Sequence, residues 1–156
     1  MRLLTGADLR AHAGRYIRVI RRLATLALLA VSGLAACGGD DPEDVVRAWS
    51  RAVNAGDNFG AAELFAPDAR AEQGELVLDV GDYGRAISFN QALPCGGKIV
   101  DIEADGGLVR ATFVLGQREH MPPWVVCSGE GHRVQAEFVV EDGRITLWRQ
   151  LEGGRT

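Results

Sequence analysis

A short apolar run near the N-terminus limits where a folded domain can begin. Residues 23–34 are mostly apolar, and four arginines lie between positions 15 and 22. The run covers about a dozen residues, whereas a membrane-spanning helix needs about 20. A basic flank followed by a short apolar core is typical of a secretory signal that is removed after export. The alternative, a buried helix of a cytosolic protein, is less consistent with the small residues Ala35 and Ala36 that follow the run.

The run ends in Leu34-Ala35-Ala36-Cys37, which resembles the lipobox of bacterial lipoproteins. This resemblance implies cleavage before Cys37 and a thioether-linked lipid on its sulfur. We therefore predict a signal peptide over 1–36, a lipidated tether over 37–41 and a folded domain over 42–156. The lipid would hold the protein at the cell membrane, on its extracytoplasmic face. Residues 1–14 exceed what a signal needs, which leaves open a translation start near Val19.

The cysteine count supports an exported protein. The chain has three cysteines, so lipidation of Cys37 leaves Cys95 and Cys127 as a pair on the oxidising side of a membrane. A disulfide between them would stabilise the domain by about 3–4 kcal/mol in the chain-entropy model. Two alternatives remain: a zinc site that adds His120 and His132, which lacks the usual short ligand spacings, or two free buried thiols. We expect the disulfide, with no metal and no cofactor.

The charges divide the chain at Cys37. Six of the 17 basic residues but only one of the 21 acidic residues precede it, so the mature part has 11 basic and 20 acidic residues and a net charge near −9. Nucleic acid binding requires clustered cations, and the mature sequence contains no basic stripe. We therefore exclude that function. Since an acidic domain gains nothing from anionic lipid, the acyl chains must provide the anchoring.

The mature part is long enough for one domain, and its patterns predict an α+β fold. Asp41 and Pro42 are typical of a helix start, and Gly56 is typical of a helix end. Asp57 would cap a second helix that Pro67 stops. Hydrophobic periodicity and Asp-Gly turns predict the remaining elements: a strand over 75–80, a third helix over 82–93, and strands over 98–104, 108–115, 133–140 and 144–151.

Four segments together resemble the nuclear transport factor 2-like superfamily, especially its SnoaL-like members. They are Val-Val-Arg-Ala-Trp at 45–49, Asn-Ala-Gly-Asp at 54–57, Leu-Phe-Ala-Pro-Asp-Ala at 64–69, and the closing hairpin at 139–149. The resemblance implies a cone: a curved antiparallel sheet wrapped around about three helices, with an apolar pocket open at one end. Members include isomerases, cyclases, hydrolases and proteins without catalysis, so the fold does not decide the function.

Catalysis in this superfamily would require a base inside the pocket. The candidates are Glu137, His120 and Asp57, and each has a structural explanation: a solvated strand face, a surface loop and a helix cap, respectively. SnoaL-like enzymes often end their last strand in Trp-Arg-Asp, whereas this chain has Gln150 at the position of the acid. We therefore predict no catalytic residue.

Aromatic side chains would form the core and the pocket walls, and the segment 121–124 could form a lid. The predicted pocket residues are Trp49, Phe65, Tyr83, Phe113, Trp124, Phe138 and Trp148. These features favour a non-catalytic domain that binds a small apolar molecule or an envelope protein. The alternative is a SnoaL-like isomerase, cyclase or hydrolase acting on a small apolar substrate. A neutral pocket would favour binding, and a buried titratable carboxylate would favour the enzyme. The sequence is compatible with a dimer but does not define the oligomeric state.

Overall fold

The computed structural model describes residues 41–151. The predicted signal peptide and Cys37 lie outside these residues. The described part contains three helices and six strands: α1 Pro42–Asn54, α2 Asn58–Glu63, β1 Phe65–Gln73, β2 Leu76–Asp79, α3 Tyr83–Ala92, β3 Gly96–Asp105, β4 Leu108–Gly116, β5 Arg133–Glu141 and β6 Arg144–Leu151. None of these helices combines the length and the apolar character that crossing a bilayer requires.

Helix α1 is defined by its cap and by one apolar stripe. The Asp41 carboxylate accepts a hydrogen bond from the Glu43 backbone N–H, and Pro42 occupies the first turn, where its missing N–H costs nothing. Val46 and Trp49 lie on the apolar face of the helix and are buried, so this face packs against the sheet. After the helix, Gly56 adopts a φ of 72°, a left-handed conformation that glycine tolerates at helix ends.

All six strands form one curved sheet in the order β2-β1-β6-β5-β4-β3. Four neighbouring pairs are antiparallel, whereas β1 runs parallel to β6. In the centre, Ala136 on β5 lies opposite Ala111 on β4, and Phe138 lies opposite Trp148 on β6. These residues share the inner face, which packs against the helices and forms the core. The predicted α+β cone is therefore confirmed, but the sheet is mixed and not antiparallel throughout as predicted, because β1 pairs parallel to β6.

Strand β1 is the element that the sequence did not predict. The expected second helix extended through Phe65 to Pro67, but α2 ends at Glu63, and Phe65 already pairs with Ile145 of β6. Pro67 lies where the register of this pairing shifts, which is where a strand tolerates a residue without an N–H. The burial alternates from there on, with Ala69 and Ala71 facing inward. Alanine gives a weak hydrophobic signal, so the period of two was not apparent.

The disulfide is confirmed. Cys95 and Cys127 are joined with an S–S distance of 2.03 Å across a separation of 32 residues. The bond ties the segment after α3 to the connection between β4 and β5. It also consumes both thiols that the alternative zinc site would have used, and no cluster of metal-ligating side chains occurs within 41–151.

A buried arginine joins the ends of two helices. Arg118 is only 3% exposed, and its guanidinium donates to the Val53 carbonyl at the end of α1 and to the Asn90 and Leu93 carbonyls at the end of α3, at 2.7–2.8 Å. It also donates to Asn58 Oδ1 at 2.6 Å. Helix C-termini carry partial negative charge, so they stabilise this cation in place of a carboxylate. Burial lowers the pKa of Arg118.

Candidate functional site

A cavity lies between α1 and the inner face of the sheet. Its volume is about 190 Å³, and it is bordered by the segment that connects α3 to β3. The strand residues that line the cavity lie at one end of the cone, where β1 and β6 end and where β3 and β5 begin. The cavity is lined by Trp49, Ser50, Val53, Gln73, Leu93, Pro94, Cys95, Gly96, Gly97, Phe113, Leu115, Val134, Gln135, Ala136, Trp148 and Gln150.

Three aromatic side chains form the floor of the cavity. The Trp49 ring packs edge-on against Phe113 at a centroid distance of 6.5 Å and is tilted against Trp148 at 6.4 Å. The Trp49 indole N–H donates to the buried Asn90 Oδ1 at 3.1 Å, which fixes the orientation of the ring from α3. Aromatic pairs of this kind are worth about 0.5–1.5 kcal/mol beyond the area they bury. The floor is therefore rigid and apolar.

The polar side chains that line the cavity are neutral. Ser50 Oγ donates to the Gly97 carbonyl at 3.1 Å, and the Gln73 amide donates to Gln150 Oε1 at 2.6 Å. Gln135 also borders the cavity, but its side-chain amide donates to Thr112 Oγ1 at 3.2 Å on the outer face of the sheet. Gln150, which stands where the resemblance implied an acid, thus places an amide at the cavity. Within the described lining, no side chain is charged: the polar groups are a hydroxyl, amides and the indole N–H groups of Trp49 and Trp148, and the one cysteine is in a disulfide.

The predicted pocket aromatics separate into four places. Trp49, Phe113 and Trp148 line the cavity. Phe138 is fully buried in the core, with its ring 5.3 Å from that of Trp49. Phe65 and Tyr83 border a separate surface depression beside α2 and β6, and Trp124 is 81% exposed on the loop between β4 and β5. The segment 121–124, considered as a lid, contributes no residue to the cavity lining.

The three candidate bases lie away from the cavity lining. Asp57 Oδ1 accepts from the Gly60 N–H at 2.8 Å and caps α2. His120 lies in the loop after β4 with a φ of 58°, a strained conformation for a residue other than glycine. Glu137 alternates with Ala136 and Phe138 on β5 and therefore faces the outer side of the sheet.

Glu137 belongs to a chain of ion pairs across four strands. Its side chain accepts from Arg110 at 3.2 Å and from Arg149 at 3.0 Å, and Arg149 also donates to Glu72 at 2.6 Å. The hydrogen bond with Glu72 is the main reason that the pKa of Arg149 is raised. Glu137 is only 8% exposed, so the outer face is less solvated here than the sequence suggested. The carboxylate is held by two arginines on the face opposite the cavity.

The sequence reasoning missed the polar residues that position the cavity. Asn90 orients Trp49, and Asn54 holds the start of β3 through the Gly97 N–H and carbonyl at 2.8 and 2.9 Å. Arg118 joins the end of α1 to the end of α3 by donating to the Val53 and Asn90 carbonyls. Their partners lie at least 25 residues away in the chain, so no local pattern could have revealed them. The only available signal was that Asn90 interrupts an apolar helix face.

Comparison with solved structures identifies the fold. An NTF2-like protein of unknown function from Cytophaga hutchinsonii superposes with a TM-score of 0.57 at 12% identity, covering 71% of this chain and 88% of that one. A candidate polyketide cyclase from Xanthomonas campestris pv. campestris gives 0.54 at 22% identity, with 72% and 90% covered. A protein from Catenulispora acidiphila with a ketosteroid isomerase-like fold, in complex with trimethylamine, gives 0.56 at 14% identity, with 70% and 85% covered.

These similarities show the fold alone. No protein-family model matches the sequence, and neither does any curated protein sequence. The three helices and the six-stranded curved sheet are nevertheless those of the nuclear transport factor 2-like cone, as the four sequence segments predicted.

Proposed function

We propose that this chain, which has the nuclear transport factor 2-like fold, is a lipid-anchored cell-envelope protein that binds a small apolar molecule without transforming it. The observation that carries the proposal is the neutral, largely apolar lining of the cavity. General acid–base catalysis requires a titratable group within hydrogen-bond reach of the reacting atoms. The three candidate bases lie elsewhere. Asp57 caps α2, His120 lies in the loop after β4, and Glu137 forms ion pairs on the outer face of the sheet.

The size of the cavity limits the part of a ligand that it can enclose. An engineered apolar cavity of about 150 Å³ stays dry and accepts benzene. The volume of about 190 Å³ therefore suits a single-ring compound or a short branched hydrocarbon chain. Most binding sites for drug-sized ligands are larger, about 300–1,000 Å³. A ligand with one carbonyl or ether oxygen would find a donor in the side-chain amide of Gln150 at the cavity.

The envelope location is supported by two features. The sequence at 34–37 resembles a lipobox, and the Cys95–Cys127 disulfide is a bond that persists in oxidising compartments. Stable anchoring requires two or more acyl chains, because a single chain binds only marginally. The domain would thus collect its ligand at the membrane surface and could present it to another envelope protein.

Binding is tested by calorimetry on the full protein in detergent, with benzene and cyclohexanone as probes. We expect saturable binding of at least one probe to the wild type. Binding should be lost in Val134→Phe, because the introduced phenyl ring would extend from β5 into the cavity. The matched control is Val139→Phe, which makes the same change on the outer face of the same strand. Binding that persists in Val134→Phe, or the absence of binding in the folded wild type, would contradict the proposal.

A further inference from the structure

The loop between β4 and β5 carries an apolar segment on the surface. Residues 121–126 read Met-Pro-Pro-Trp-Val-Val and contain no charged side chain, although the mature chain is strongly acidic. Trp124 is 81% exposed and Val126 is 66% exposed. We call residues 121–126 the apolar tip. Exposed apolar side chains that are grouped in one segment, unlike single scattered ones, indicate an interaction site.

The base of the apolar tip is well held. The Gln117 side chain donates to the Val125 carbonyl at 3.0 Å and accepts from the Cys127 N–H at 2.9 Å. The Val125 N–H closes a turn onto the Pro122 carbonyl at 2.9 Å, and Cys127 is bonded to Cys95. The backbone on the C-terminal side of Trp124 is therefore held in place by a side chain, a turn and the disulfide.

A second exposed aromatic lies at the same end of the molecule. The Glu119 N–H donates to the Asn54 carbonyl at the end of α1, which places the base of the loop beside the start of α2. There, Asn58 accepts from Arg118, and the neighbouring Phe59 is exposed. The cavity also reaches this end, because its lining residue Leu115 accepts from the Gly131 N–H at 2.9 Å.

We propose that the apolar tip inserts into the interfacial region of the membrane to which Cys37 anchors the protein. This inference rests on the proposed lipid anchor. An indole prefers the boundary between headgroups and acyl chains, because its ring is apolar and its N–H is polar. Prolines limit the conformational freedom of the segment, and the apolar tip carries no charged side chain, whose burial would be the most costly.

The length of the chain allows this contact. Cys37 lies four residues before Asp41, which corresponds to at most about 14 Å of extended chain. Helix α1 has 13 residues and is therefore about 20 Å long, and the loop is joined to its far end. If α1 lies along the bilayer surface, both the anchor and the apolar tip reach the lipid. The acidic charge of the domain predicts that zwitterionic lipid suffices.

Tryptophan fluorescence can test the contact, because the three indoles differ in exposure. Trp49 and Trp148 are 5% and 7% exposed, so Trp124 is the one that a lipid-borne quencher can reach. The full protein, purified from membranes, is reconstituted into phosphatidylcholine vesicles with or without bromine on the acyl chains. We expect brominated lipid to quench the part of the fluorescence that Trp124, one of three tryptophans, contributes. This quenching should be absent in Trp124→Phe.

A matched control places an exposed indole elsewhere. The double variant Trp124→Phe/Val77→Trp carries it on the edge strand β2, where Val77 is exposed, and its emission should not respond to bromolipid. Equal quenching in this variant would overturn the inference.

Vesicle flotation separates the two proposals. Protein that does not float with the vesicles refutes the lipid anchor and this inference with it. Protein that floats but whose Trp124 is unquenched refutes the inference alone. If Trp124 is unquenched by bromolipid but shielded from aqueous acrylamide, the tip packs against a second copy of the chain, which also overturns the membrane contact.

Discussion

Arg118 offers the sharpest test of how the cavity is held in place. In Arg118→Met, the apolar stem remains but the guanidinium is lost. The Val53 carbonyl retains a bond from the Gly56 N–H, whereas the Asn90 and Leu93 carbonyls and Asn58 Oδ1 lose the donor that Arg118 provides. A buried acceptor without a donor, such as the Asn90 carbonyl, costs about 1–3 kcal/mol, and the part-buried Leu93 carbonyl and Asn58 Oδ1 cost less because water can reach them. The mutation also removes the cost of burying a cation, which offsets part of this loss. We expect a net loss of about 2 kcal/mol in the free energy of unfolding.

The assay is urea unfolding followed by tryptophan fluorescence, because Trp49 and Trp148 lie in the core. Arg133→Met is the matched control: Arg133 is exposed on β5, so its replacement should change stability by less than about 0.5 kcal/mol. A loss below about 1 kcal/mol in Arg118→Met, with the control unchanged, would refute the argument that this side chain joins the helix ends.

Three further predictions follow from the anchor, the disulfide and the cavity. Cys37→Ser should prevent lipidation, and mass spectrometry of the wild-type N-terminal peptide should find a modified Cys37; an unmodified Cys37 or retained residues 1–36 would contradict this. Thiol titration of the denatured, unreduced protein should find neither Cys95 nor Cys127 free, and reduction should lower stability by about 3–4 kcal/mol in urea unfolding. Trp148→Ala should weaken probe binding in calorimetry more than Glu137→Gln does, since a buried indole contributes about 3–5 kcal/mol of packing; equal effects in folded variants would contradict the assignment of the cavity.

The elements that the sequence predicted are those whose signals are local. Asp41 and Pro42 define the start of α1 without any tertiary contact, and the Asp-Gly turns define the two hairpins. Strand β1 escaped prediction because its inward residues Ala69 and Ala71 are small, and because its pairing with β6 joins opposite ends of the domain.

The candidate site was less predictable, because a side chain's role depends on which face it occupies and on distant partners. Strand alternation placed Glu137 on the outer face correctly, but the two arginines that bury it lie on other strands. Aromatic content alone did not distinguish Trp148, which lines the cavity, from Phe138, which lies in the core, or from Trp124 on the surface.

One NMR time course distinguishes binding of an apolar ligand from its chemical conversion. Cyclohexenone, a single-ring enone, is incubated with the full wild-type protein and with Val134→Phe, and its spectrum is followed for hours. We expect the wild type to broaden the ligand lines and the variant to leave them sharp, with no new product signals from either protein. Product formation by the wild type that Glu137→Gln, His120→Ala or Asp57→Asn abolishes, in variants that remain folded, would contradict the account and establish an enzyme.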